Sequence, residues 1–351
     1  MAYDSNSPKA ELDNQPVSCS GIFRTYAPKL KAFEHLPAVN LAEATTGTEE
    51  LNTILFIGGL GGDILSPHYM HKRVVPSIYG DEELAGWRAA EVAISSSARG
   101  WGTGSVERDA EELAKCVYYY KSIRPHGKII MMGHSTGCQD IFYMMTRLTP
   151  TPPVDGIILQ APVSDREAFT PLPTCATLLT ISTTLVKAGP SPGHPNAPGG
   201  RTILPIELTS QIFGWDQAIS ANRWFSLTAP PHTVTGCPTG QEDFFSSDFS
   251  EDVILKYTWG RLQPDKTKVL VLYSEEDEWV PAEIDKEKLV ATWIKIMKEK
   301  GVRVDEKNSG VVEEASHDLS EVEESVMQDV LGRIKRFLSW VGEGETINTS
   351  G

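Results

Sequence analysis

Basic charge is scarce in this sequence: 32 lysines and arginines stand against 47 aspartates and glutamates, a formal net charge of −15. A chain of that sign repels phosphate backbones and anionic lipid surfaces, so neither nucleic acid nor a membrane is expected as a partner. Long apolar runs are missing as well, and nothing approaches the roughly 20 residues that cross a bilayer. The five cysteines, at 19, 116, 138, 175 and 237, are odd in number and include no CxxC pair. That excludes a zinc ribbon and favours reduced thiols over a disulfide framework. The opening MAYDSNSPKAELDNQPVS is polar and acidic, where an export signal has a basic start and about 7–15 apolar residues. GETINTSG at the other end carries no lipidation or peroxisomal signal. The expected compartment is the cytoplasm, where the sequon at Asn348 is a chance match.

What is present is an ordinary globular composition, 40% hydrophobic and 23% charged, which sets aside disordered and fibrous classes. Residues 1–18 and 343–351 read as tails around one large domain. Gly21–Tyr26 and Leu30–Phe33 read as short strands paired across Ala27-Pro28-Lys29. Thereafter β-branched runs (Thr53–Ile57, Glu91–Ser96, Lys128–Met132, Gly156–Gln160, Val269–Tyr273) alternate with helical patterns (Val106–Ile123, Gly137–Leu148, Ala282–Lys300, Ser320–Val341). That alternation predicts a mostly parallel sheet flanked by helices, an α/β class. Residues 169–264 break the rhythm with many prolines and an aromatic-rich Phe213–Phe225. A structureless loop of that length is improbable in a compact domain, so an inserted cap subdomain with its own helices is predicted.

The chemistry concentrates at Gly133-His134-Ser135-Thr136-Gly137, a G-x-S-x-G between a buried-looking strand and a helical pattern. A sharp strand-to-helix turn there lifts the serine hydroxyl out of the sheet, and glycines on either side let backbone approach closely. A serine needs a histidine to take its proton and an acid to orient that histidine. Downstream, Val269–Tyr273 runs into Glu275, Glu276, Asp277 and Glu278, and His317 lies just before the last helix. Of the four acids Asp277 is preferred, because D-x-x-V-P after a strand is the recurring form of this loop. The glycine-rich Ile57–Asp63 stretch suits main-chain donors that face a developing oxyanion, and Leu60 N–H with Thr136 N–H is the expected pair. A phosphate loop is the rival, but neither G-x-x-x-x-G-K-[ST] nor GxGxxG spacing occurs. His68 and His71 share H-x-x-H spacing without H-E-x-x-H or a third ligand, so no metal or other cofactor is expected. Cys138 reads as a packed small residue.

These residues, in the order Ser135, Asp277, His317, resemble the α/β-hydrolase superfamily over roughly Ser20 to Val341. The longer string Ser135-Thr136-Gly137-Cys138-Gln139-Asp140 is similar to a fungal and plant group that includes the fungal siderophore esterases. The resemblance implies an α/β-hydrolase fold. It also implies a cytoplasmic serine esterase acting on fusarinine C or triacetylfusarinine C, small-molecule esters that can carry ferric iron. In that reading the cap roofs the pocket, and Trp215, Trp224 and Phe225 line or brace it. The alternatives are a general carboxylesterase, lipase-like enzyme or thioesterase, and a non-catalytic binding protein that retains the fold.

Overall fold

The computed structural model of the chain describes residues 18–37, 47–191 and 194–343. The expected tails, up to residue 17 and from residue 344, lie outside the described residues, as does Asn348. The opening strands β1 (Gly21–Ala27) and β2 (Leu30–His35) form an antiparallel pair around Pro28 and Lys29. The sheet then continues with β3 (Asn52–Ile57), β4 (Trp87–Ala93), β5 (Ile129–His134), β6 (Gly156–Gln160) and β7 (Lys268–Ser274). Two short strands, β8 (Arg303–Val304) and β9 (Gly310–Val312), both run along the outer edge of β7. The spatial order is β1-β2-β4-β3-β5-β6-β7-β8, and every pairing beyond β2–β4 is parallel.

Successive side chains on a strand point to opposite faces, and here each face has its own core. Leu55, Met131, Leu159 and Val271 point into one, beneath the helices Val106–Ile123, Thr136–Arg147 and Lys286–Glu299. Their neighbours Ile54, Met132, Ile158 and Leu270 point into the other, covered by Val75–Tyr79 and Glu324–Gly342. Burial on both faces explains why these strands read as continuous apolar runs.

One strand differs from expectation. The predicted Glu91–Ser96 is displaced, because β4 pairs in register from Asn52↔Trp87 to Phe56↔Glu91 with β3. Ser95 is instead spent on the turn, donating its hydroxyl to Glu112. Ala89 and Ala90, poor strand formers by propensity, are completely buried where small residues let the covering helices approach.

The predicted insertion holds the helices Cys175–Lys187, Ile206–Phe213 and Ala221–Thr228. They share a small core of Leu178, Leu204, Ile219, Trp224 and Leu227, closed by Trp101 and Phe169. Its last part is different: Phe244, Phe245 and Trp259 belong to the main core, and Trp259 stacks on Trp293 at 4.8 Å. The chain thus rejoins the main body well before residue 264.

Candidate active site

The elbow is built by backbone crowding. Ser135 sits at φ 52°, ψ −125°, between β5 and the helix Thr136–Arg147. A non-glycine residue held there carries strain on the order of 1–3 kcal/mol, which persists only where its surroundings enforce it. They do so here. A Cβ on Gly133 would lie 2.6 Å from the Gly137 carbonyl oxygen, and one on Gly137 would lie 2.5 Å from that of Ile57. The two glycines are therefore required by close packing against their own turn and against β3.

Opposite the serine, two loops leaving β7 and β9 are zipped together. Glu275 N–H donates to Val312 O at 3.1 Å and Glu276 N–H to Ala315 O at 2.9 Å. The Glu275 carboxylate accepts Glu314 N–H at 2.9 Å, and that of Glu278 accepts His317 N–H at 3.1 Å. The acids beside Asp277 thus hold the histidine loop or point to solvent. Asp277 itself, 3% exposed, takes Trp279 N–H on Oδ1 at 3.0 Å and meets His317 Nδ1 with Oδ2 at 2.7 Å. The other ring nitrogen, Nε2, lies 2.9 Å from Ser135 Oγ. Burial works against the charged imidazole, but the hydrogen bond and charge of Asp277, aided by Glu278 and Asp318, win and raise the His317 pKa above its usual value.

A further layer was not legible in the sequence. Gln160 at the end of β6 donates its amide to the His317 carbonyl oxygen at 3.1 Å. Its own oxygen accepts from Tyr69 OH at 3.1 Å and meets His134 Nδ1 at 2.6 Å. One buried amide thus ties the histidine loop to the elbow strand. No motif marks it; only its place at the end of a strand next to β5 would have drawn attention. Cys138 is sealed from solvent with its thiol against the Gly133 and Gln160 carbonyls, and burial pushes its pKa far up.

Ser135 and His317 open into a cavity of about 380 Å³. Leu60 lines it, and a Cβ on the adjoining Gly59 would come within 2.7 Å of Ser135 Cβ, so the glycine-rich loop lies against Ser135. Thr136 opens the elbow helix beside it. The Arg99-Gly100-Trp101-Gly102 turn contributes Trp101 to the wall, and its Gly102 carbonyl receives Ser220 N–H from the insertion. His68 and His71 pack edge to face at 5.3 Å, and no group of three metal-ligating side chains occurs among the described residues.

Of the three aromatic residues expected to line or brace the pocket, Trp215 and Phe225 require correction, and Trp224 braces the wall from behind. Trp215 is 71% exposed, because it lies beyond the end of the helix Ile206–Phe213 with no core to enter. Phe225 faces a separate surface depression with Arg201 and Asn222. Trp224 is wholly buried in the insertion's core, one layer behind the wall, stacked on Phe169 at 5.7 Å. The aromatic lining is instead Phe169, Phe213, Trp101 and Trp279. The apolar period of each short helix is satisfied by the insertion's own core, and that requirement decides which aromatic residues turn inward.

Behind the glycine loop, Arg223 of the insertion is buried among carboxylates. It pairs with Glu242 at 2.8 Å and approaches Asp109 to 3.9 Å, and it also feels the charges of Asp140 and Asp165.

Comparison with known proteins is consistent with this geometry. A family model described as Protein of unknown function (DUF1749) matches residues 11–341. The fusarinine C esterase of Aspergillus fumigatus is 30% identical over 334 residues, covering 86% of this chain and 90% of its own. An esterase of Emericella nidulans is 30% identical over 314 residues, covering 78% and 79%. Among solved structures, the siderophore hydrolase EstB from Aspergillus fumigatus superposes with a TM-score of 0.74 at 29% identity, over 93% of this chain and 99% of that one. An α/β-hydrolase fold protein at 16% identity, with a TM-score of 0.55, shares the fold.

Proposed function

The chain belongs to the DUF1749 family of α/β hydrolases, and we propose that it is a cytoplasmic serine esterase that cleaves ester bonds of hydroxamate siderophores of the fusarinine type. The observation that carries the reading is the unbroken hydrogen-bonded line from Asp277 through His317 to Ser135 at the floor of a cavity. The relatives' names supply the substrate class. The ester can arrive as its ferric complex, with the iron as cargo.

In this mechanism Ser135 Oγ attacks the ester carbonyl while His317 Nε2 takes its proton. Asp277 holds the Nδ1 proton in place, fixing the tautomer and stabilising the imidazolium. The Leu60 and Thr136 amides receive the developing oxyanion, assisted by the positive end of the elbow helix. His317 then returns the proton to the departing alkoxide, leaving an acyl-serine. Water, deprotonated by the same imidazole, hydrolyses the acyl-enzyme. Every step is performed by side chains and backbone amides.

Two measurements test the reading. A fluorophosphonate probe should label the protein at Ser135, which a non-catalytic binding protein would not allow. Initial rates on fusarinine C and triacetylfusarinine C, set against short and long p-nitrophenyl esters, should favour the siderophores. Labelling together with a preference for simple esters would leave the serine hydrolase in place and replace its substrate with an ordinary acyl ester.

A further inference from the structure

Asp165 plays no part in the chemistry above, yet it lines the same cavity as Ser135 and His317. It follows β6, the strand beside the elbow strand, and opens the short helix Asp165–Phe169 behind Ser164, whose hydroxyl caps Glu167 N–H. The side chain is buried, and one oxygen is pinned: Oδ2 accepts Gln139 Nε2–H at 2.7 Å. Gln139, in the first turn of the elbow helix, is held in turn by the Val163 carbonyl at 3.1 Å. The other carboxyl oxygen of Asp165 has no hydrogen-bond partner among the described residues.

A carboxyl group placed this way is costly unless something in the cavity completes its hydrogen bonding. We propose that Asp165 contacts the substrate, donating a hydrogen bond as a neutral carboxylic acid to an oxygen acceptor of the bound ester remote from the scissile bond, an amide or hydroxamate carbonyl. The assignment rests on the esterase reading of Ser135.

The surroundings favour the neutral form. Burial is the largest influence and raises the pKa to about 7; Glu242 and Asp243 push the same way, while Arg223 and His317 oppose them. The charged and titratable groups that face it come from every neighbouring element: Asp140 and Cys138 on the elbow helix, Arg223 on the helix Ala221–Thr228, Glu242 and Asp243 on the segment that follows that helix, and His317. On its own helix, Arg166 is engaged by Asp243 and Asp248, and Glu167 by Ser247. The donating proton is present below about pH 7 and lost as the pH rises through that value.

The profile of kcat/KM against pH therefore depends on the ester. With p-nitrophenyl hexanoate, which has no second acceptor, it should rise as His317 loses its proton and then level off. With p-nitrophenyl 4-acetamidobutanoate it should fall again on the alkaline side. Asp165→Asn keeps a donor at every pH, because the carboxamide can accept from Gln139 and donate into the cavity, so it should abolish the alkaline fall for the acetamido ester. Asp165→Ala should lower the ratio of kcat/KM between the acetamido and hexanoate esters about tenfold, mainly through KM, the size of one lost hydrogen bond. An alkaline fall that persists in Asp165→Asn, or an unchanged ratio in a folded Asp165→Ala, would overturn the proposal. Should the alanine variant not fold, the asparagine profile decides alone. Fluorophosphonate labelling of the wild type, run alongside, separates this failure from a failure of the esterase reading.

Discussion

Ser135 is held by its immediate neighbours: a forced φ of 52°, and two glycines packed against carbonyl oxygens of its own turn and of β3. The roof is held from a distance. Its helices share a core of their own and join the body through Phe169, Trp101 and the buried Arg223. Local backbone geometry leaves the elbow one arrangement, whereas the roof could meet the same packing demands with different residues facing the cavity. On the proposed reading, chemistry and selectivity are thus carried by regions under unequal constraint.

The most severe test of the elbow side is Ser135→Ala. It should abolish fluorophosphonate labelling, read by intact mass, and reduce turnover by at least about 10⁴-fold with the melting temperature kept. Labelling that moved to Cys138 would overturn the assignment of Ser135 as nucleophile. Asp277→Asn should cost about 10³–10⁴-fold in kcat, because an amide cannot both fix the His317 tautomer and stabilise its cation. Glu278→Gln, which still offers an oxygen to His317 N–H, should cost far less in the same assay.

On the roof side, Arg223→Met leaves Asp109, Asp140 and Glu242 buried without their cation. Breaking a buried pair in this way typically costs about 3–5 kcal/mol, to be read by urea denaturation. A loss that small-ester turnover largely survives would sharpen the separation between roof and elbow. Smaller still is the effect of pH through His317. Its pKa is raised, so the activity that needs the neutral ring should fall as pH drops through a value above 6.5. Stability moves oppositely. The favourable pairing with Asp277 is fully present below the unfolded pKa and is lost as pH rises through the folded one. Parallel activity and melting profiles in wild type and Asp277→Asn test both signs. Trp215→Ala should change nothing: surface truncations usually stay within about 0.5 kcal/mol, and rates on both ester classes should match the wild type.

Ser135, Asp277 and His317, which the structure brings into one hydrogen-bonded line, were readable in sequence because each is marked by local features: glycines two residues to either side of a serine, an acid just past an apolar run, a histidine ahead of a terminal helix. Asp277 was separable from Glu275, Glu276 and Glu278 only by the form of its loop, and the structure gives Glu275 and Glu278 tasks on the backbone of the histidine loop. Gln160 and Asp165 were invisible, since their roles arise where strand ends meet in space. β4 was misplaced because Ala89 and Ala90 lack the β-branched signature although both are fully buried in the sheet. Trp215 and Phe225 of the insertion were misassigned for a related reason. Composition showed that apolar surface was available, but the packing of the insertion's three helices determined which rings would face the cavity.

The guanidinium of Arg223 also bears on how such a roof could change over generations or in the laboratory. Glu242 travels with the insertion, but Asp109 and Asp140 stay with the body. A foreign roof grafted at the same junctions would take away the Arg223 charge that Asp140 feels and leave Asp109 with Arg108 at 3.7 Å, so the graft must bring its own arginine to that point or be accompanied by neutral replacements at 109 and 140. The insertion is therefore exchangeable only together with residues that lie outside it, and a chimera designed from its end points alone would carry the fault in the half it left untouched.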